Sequence, residues 1–214
     1  IDGMSTTGKT TIINMVKDKI GNRNCFIYLE NDENHFLRPY LDKAKRISEY
    51  YSYADYFCEL INAWENNLNM FKADDAIYFF DGYILHELER TFLMNKIPWE
   101  LTCQYYDKIN NVLCKMKCIL FMLYREEIGK SINYTFEIRS PKWKSYKLWQ
   151  LSLIKGDAVS DDDDLDCVVK EVKKKMIYIF ERFTIDKEKI ETSESNWTLI
   201  VNRMIRRIEN GVCS

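Results

Sequence analysis

Eight residues near the start of the chain constrain it most. Gly3-Met4-Ser5-Thr6-Thr7-Gly8-Lys9-Thr10 fits G-x-x-x-x-G-K-[ST]. The chemistry explains the spacing. Glycines at both ends let the backbone curl round an anion and turn several N–H groups inward. A lysine at this place reaches the outer phosphates of a polyphosphate, and the hydroxyl after it can hold a divalent cation. A helix is expected from about 9 to 19, with Ile12, Val16 and Ile20 as its apolar stripe. Its N-terminus then faces the same anion. The competing reading is a Ser/Thr-rich turn that caps a helix. Ile1 and Asp2 stand before the loop as the last residues of a buried strand, so native residues upstream of Ile1 are expected to complete that strand.

The rest of the chain alternates strand and helix patterns. Residues 25–29 read as a buried strand ending at Glu30, 31–34 as a polar loop and 41–53 as a weakly patterned helix. Gly21-Asn22 reads as the stop of the first helix. Tyr56, Phe57, Leu60, Ile61, Trp64, Leu68 and Phe71 recur at three- and four-residue steps and predict a long helix. Residues 76–80 form a second apolar run, ending at Asp81-Gly82, and 84–94 read as helix. Pro98 opens a helix carrying Leu101, Tyr105, Ile109 and Val112. Residues 118–123 are a further strand, ending at Tyr124-Arg125. From 126 to 156 helical periodicity fades, and this stretch reads as a lid or flap. Asp161 to Asp164 suit the positive end of the helix after them. A short strand over 187–191 and a last helix from about Trp197, capped by Ser195, complete the order. Strands separated by helices imply one α/β domain over 1–214: a three-layer sandwich with a mostly parallel five-stranded sheet.

Bulk properties exclude several classes. At 214 residues and a net charge of −2, the chain can bury a full core and offers no strongly basic face. No apolar run is long enough to span a membrane. Seven cysteines, an odd number without a C-x-x-C pair, and only two histidines argue for reduced thiols in a cytoplasmic setting rather than disulfides or zinc.

In parallel sheets the ligand lies beyond the carboxyl ends of the strands. Asp2 with the loop, Glu30, Asp81 and Arg125 stand at those ends. Asp81 suits a metal-holding carboxylate, against a plain turn residue before Gly82. Glu30 reads equally as a base for an acceptor hydroxyl or as a solvated loop carboxylate. Arg125 can stabilise charge on a transferring phosphoryl group. Lys130, Arg139, Lys142, Lys144 and Lys147 lie in the 126–156 stretch, interleaved with Trp143, Tyr146 and Trp149. One or two of these cations would close on phosphates, and the rest would be solvated. The same mixture would suit single-stranded nucleic acid. His86 reads as a surface or lightly buried residue, and Tyr83 as the better placed for a substrate contact. The aromatic row Tyr50, Tyr51, Tyr53, Tyr56, Phe57 and Trp64 reads as core.

These pieces resemble the P-loop deoxynucleoside kinase and thymidylate kinase superfamily. Ile1-Asp2-Gly3 running into Gly8-Lys9-Thr10-Thr11 is similar to the way those enzymes begin. Phe26-Ile27-Tyr28-Leu29-Glu30 resembles their second strand, Phe79-Phe80-Asp81 their third, and Ile190-Glu191-Thr192-Ser193 their last strand and adenine-side loop. The resemblance implies a P-loop kinase fold with a lid, ATP and Mg²⁺ as cofactors, and a nucleoside-like acceptor. It implies Lys9, Glu30, Asp81 and Arg125 as catalytic residues. Gly3, Ser5, Thr6, Thr7, Gly8, Lys9, Thr10, Thr11, Arg139, Thr192 and Ser193 would hold the nucleotide, and Thr10 and Asp81 the metal. A homodimer is a further partner allowed; nucleic acid ranks below the small molecule. The chain departs from the family's acid-Arg motif, because Gly82 follows Asp81. Glu89-Arg90-Thr91 imitates that motif in letters about two turns too late and reads as a decoy. The expected function is ATP-dependent phosphoryl transfer to a nucleoside or nucleotide. The alternatives are a kinase of another small-molecule or polynucleotide hydroxyl and a non-catalytic nucleotide-binding scaffold.

Overall fold

The structure is a computed structural model that describes residues 1–20, 24–30, 32–33, 35–37, 39–40, 52–71 and 76–212. The turn at Gly21-Asn22, most of the helix expected over 41–53, parts of the 31–34 loop, and Tyr50 and Tyr51 lie outside the described residues. The elements are β1 (Asp2–Gly3), α1 (Lys9–Ile20), β2 (Cys25–Tyr28), α2 (Tyr53–Phe71), β3 (Ile77–Phe80), a π-helical turn (Leu88–Leu93) and α3 (Trp99–Leu113). There follow β4 (Ile119–Tyr124), α4 (Ile128–Ile138), α5 (Pro141–Lys155), α6 (Asp162–Arg182), β5 (Asp186–Glu191) and α7 (Trp197–Val212).

Among the described residues every strand pairing is parallel. One ladder runs β1-β4-β5 and the other joins β2 to β3, with Tyr28 opposite Phe80. Two backbone bonds set the ladders side by side: Ile1 N donates to Phe80 O at 2.9 Å, and Gly82 N to Ile1 O at 3.0 Å. The strands therefore lie in the order β2-β3-β1-β4-β5, with β1 and its loop in the middle. This is the parallel α/β arrangement that the strand–helix alternation predicts.

Strand side chains alternate between faces, and β4 shows how that builds three layers. Leu120 and Met122 join the core made with Tyr56, Leu60 and Trp64 of α2, Tyr106 and Ile109 of α3, and Val169, Val172 and Met176 of α6. Phe121 and Leu123 point the other way, to Ile12, Ile13 and Val16 of α1 and Val201 and Met204 of α7. A strand buried on both faces must be apolar throughout, which is why Ile119–Leu123 shows no polar alternation. Among the described residues no helix is long and apolar enough to cross a membrane.

Three local expectations need correction. Residues 126–156 are mostly helical. Ser140 caps α5 by accepting from Trp143 N at 3.3 Å, Pro141 opens it, and Gly156 ends it at φ 91°. The expected helix over 84–94 instead centres on the π-helical turn. Ser195 does not cap α7. It takes φ 52°, and Asn196 Oδ1 accepts from Leu199 N at 3.2 Å. The acid run at 161–164 behaves as a helix start: Asp164 N donates to Asp161 Oδ1 at 2.8 Å.

Candidate active site

The loop between β1 and α1 is shaped by its two glycines. Gly3 has φ 130°, and a Cβ there would strike the Leu123 carbonyl oxygen of β4. Gly8 has φ 88°, and its Cβ would lie 2.7 Å from the Trp197 ring of α7. No other residue type fits either place without moving a neighbouring element. Thr6 also takes a left-handed conformation, φ 72°. Thr7 Oγ1 closes the loop on Met4 O at 2.9 Å. Buried Lys9 folds back over it, donating to Gly3 O at 3.1 Å and Met4 O at 3.0 Å. Its ammonium therefore lies across the loop mouth. Thr11 is exposed on α1.

Asp2, which has no motif to mark it in the sequence, organises the next segment. Its carboxylate accepts from the backbone N–H groups of Gly3, Ile84, Leu85 and His86 at 2.7 to 2.8 Å. A single side chain thus fixes the segment after β3 against the loop.

Thr10 and Asp81 meet. Thr10 Oγ1 donates to Asp81 Oδ2 at 2.6 Å, while Asp81 Oδ1 is buried without a hydrogen-bond partner. A hydroxyl beside a carboxylate with a spare oxygen is a hard-donor pair that fits Mg²⁺, with phosphate and water oxygens completing six positions.

Glu30 is not a loose loop residue. Arg90 Nη1 donates to Glu30 Oε1 at 2.9 Å, and His86 Nδ1 lies 3.7 Å from Glu30 Oε2. Arg90, placed by the sequence reading about two turns too late, is nevertheless carried by the π-helical turn back to the end of β2. Sequence spacing misjudges this because it assumes 3.6 residues per turn. His86 is buried, not superficial, and its imidazole is held well below its ordinary range by burial, then by Lys9, Arg90 and Lys147. Tyr83 is also buried. Its hydroxyl donates to the Leu29 and Glu30 carbonyls at 2.8 and 2.9 Å, so it braces the Glu30 backbone.

Arg125 lies elsewhere. Its guanidinium donates to Ser131 Oγ at 3.0 Å and Ser195 Oγ at 3.3 Å, and Ser131 Oγ is 3.2 Å from Thr6 Oγ1. Strand order puts Arg125 and Glu30 on opposite sides of β1. Thr192 Oγ1 donates to Tyr124 O at 3.1 Å, and Ser193 turns to the Glu191 carboxylate. Arg139 lies at the end of α4 with its guanidinium 4.7 Å from the Trp143 ring centre.

No protein-family model and no curated protein matches the chain. Among solved structures it is similar to deoxyadenosine kinase from M. mycoides with bound dATP. That match covers 100% of this chain and 97% of the other, at 17% identity and a TM-score of 0.48.

Proposed function

We propose that the chain is an ATP-dependent phosphotransferase acting on a nucleoside or nucleotide, with a hydroxyl of a nucleoside-like molecule as the preferred acceptor. The observation that carries this reading is the carboxylate of Glu30, fixed by Arg90, on the same side of the phosphate loop as the Thr10–Asp81 pair. A loop and metal pair alone suit any nucleotide-binding protein. An oriented carboxylate beside them adds a proton acceptor for a hydroxyl, whereas an acceptor phosphate is already ionised and needs none. The nucleoside character rests on the likeness of 26–30, 79–81 and 190–193 to the deoxynucleoside kinases.

In this reading the loop N–H groups and Lys9 hold the donor phosphates. Glu30 takes the proton of the acceptor hydroxyl as its oxygen attacks the γ-phosphorus and ADP leaves. Arg90 keeps Glu30 oriented. Thr10 and Asp81 would hold Mg²⁺, which when bound neutralises charge on the phosphate oxygens. Arg125, Thr192 and Ser193 stand on the adenine side, and 126–156 is the lid over the loop. The six described cysteines are all free thiols, which suits a reducing, cytoplasmic setting.

The test is transfer from labelled ATP to a panel of nucleosides, nucleotides and small alcohols. Lys9→Ala should abolish transfer. Glu30→Gln should lower turnover by about 10²-fold or more while ATP affinity changes by less than about twofold. Near-normal turnover in Glu30→Gln would sink the base assignment. Tight ATP binding with no transfer to any acceptor would leave the scaffold alternative standing instead.

A further inference from the structure

Glu30 has two carboxylate oxygens, and among the described residues a hydrogen bond holds only one. Arg90 donates to Oε1 at 2.9 Å. Oε2 faces His86 Nδ1 at 3.7 Å, and that nitrogen is buried without a hydrogen-bond partner. His86 is 4% exposed and belongs to the segment that Asp2 fixes, its backbone N–H donating to Asp2 Oδ1 at 2.7 Å. Gly82 makes room for its ring. A Cβ at 82 would sit 3.5 Å from both His86 Cβ and Nδ1, so a longer side chain there would compete with the imidazole for the same space.

The charges around the ring decide its form. Lys9 of α1 and Arg90 stand near it, as does Lys147 of α5, which is bonded to Glu89 of the π-helical turn and to Gln150. Burial and these three cations keep the imidazole neutral near neutral pH. A neutral ring carries one N–H, and the nitrogen that faces a carboxylate is the one that holds it. A buried donor without an acceptor is unfavourable. Hydrogen bonds to catalytic groups are often long before substrate binds and tighten in its presence.

We propose that His86 is a positioning residue for Glu30: Nδ1–H closes on Oε2 as the acceptor binds, so that Arg90 and His86 hold one carboxylate oxygen each and leave a free lone pair for the acceptor hydroxyl. This rests on the reading that Glu30 is the proton acceptor of a phosphotransferase. A carboxylate has about four lone-pair sites, so two donors leave room for the proton. A neutral donor suits the task, because a second cation on the carboxylate would oppose proton uptake more strongly. The hydroxyl proton goes to Glu30, and the imidazole keeps its own.

The experiment follows transfer from ATP to the panel of nucleosides, nucleotides and small alcohols in the full chain. His86→Asn puts an amide N–H close to the place of Nδ1, His86→Gln puts one close to that of Nε2, and His86→Leu has none. His86→Asn should keep turnover within about threefold of the wild type. His86→Gln and His86→Leu should lose about tenfold or more, with the KM for ATP changed by less than about twofold. In a Glu30→Gln background, His86→Leu should lower turnover by less than about twofold further, since it acts through Glu30. Equal losses in His86→Asn and His86→Gln, wild-type turnover in His86→Leu, or a full further loss in the Glu30→Gln background overturn the proposal. If His86→Leu does not fold, the contrast between Asn and Gln decides alone. A wild type that transfers phosphate to no acceptor overturns the phosphotransferase reading together with the proposal. Transfer that Lys9→Ala abolishes and His86→Leu leaves intact overturns the His86 assignment alone.

Discussion

Gly82 and Arg90 together shape the ends of β2 and β3. The left-handed φ at Gly82 lets the chain turn sharply after Asp81, under the Lys9 side chain. Gly82→Arg should therefore weaken the protein. The left-handed conformation alone should cost about 1–2 kcal/mol for a residue with a Cβ. Urea unfolding should show that loss, and ATP binding should weaken as Lys9 is displaced. A gain in turnover would contradict this account. The positions of Lys9, Thr10 and Asp81 are legible from spacing, because a glycine-bounded turn before a helix and an acid ending an apolar run follow from local rules. Arg90 is not, because one extra residue in a helical turn changes which side chains face inward. The partners of Lys147 are equally hidden. Nothing in a polar, aromatic stretch distinguishes a buried lysine from its solvated neighbours.

Among the elements, the segment after β3 depends on one carboxylate. Three of the four N–H groups that Asp2 accepts belong to consecutive residues, Ile84 to His86. Asp2→Ala would leave these donors buried and unpaired. A cost of about 3 kcal/mol or more is expected, since each unmet buried group costs about 1–3 kcal/mol. Chemical denaturation measures it, and Asp2→Asn should fall between the two. A loss below about 1 kcal/mol would mean that the segment is held by packing instead. The role of Asp2 is illegible in the sequence because it is set by residues more than eighty positions away. The two helices of 126–156 show the opposite case. Ser140-Pro141 and Gly156 are readable as start and stop signals. The helix between them escapes a periodicity reading because its charged and aromatic residues lie around its whole circumference rather than on one stripe.

At the scale of the molecule, the strand order can be anticipated only in class. Alternating strands and helices predict a parallel sheet, but the adjacency of β3 and β1 rests on backbone bonds that have no sequence signal. Burial of titratable groups gives a property of the whole fold. His35 is held at about 3 by burial, and His86 is also depressed. Both gain protons more readily when unfolded, so stability is complete above their ordinary value of 6.5 and is lost as pH falls below it. Glu87 is raised, chiefly by burial, from an ordinary 4.5, and so offsets one histidine as pH falls towards that value. Two losses against one gain leave stability falling as pH drops below 6.5. Unfolding free energies measured across that range should decline on acidification. A flat profile would mean that at least one histidine is solvated.

The π-helical turn has a consequence for inheritance. It holds one more residue per turn than an α-helix would, and on that residue depends which way Glu89 and Arg90 face. Loss of a single codon between 88 and 93 would tighten the turn and rotate its downstream end by about 100° relative to its upstream end. Glu89 and Arg90 would swing away from α5 and from Glu30 together. The reading frame would survive and the composition would barely change, yet two separate charge contacts would vanish in one event. Substitutions can alter those contacts one at a time; a deletion there allows no intermediate.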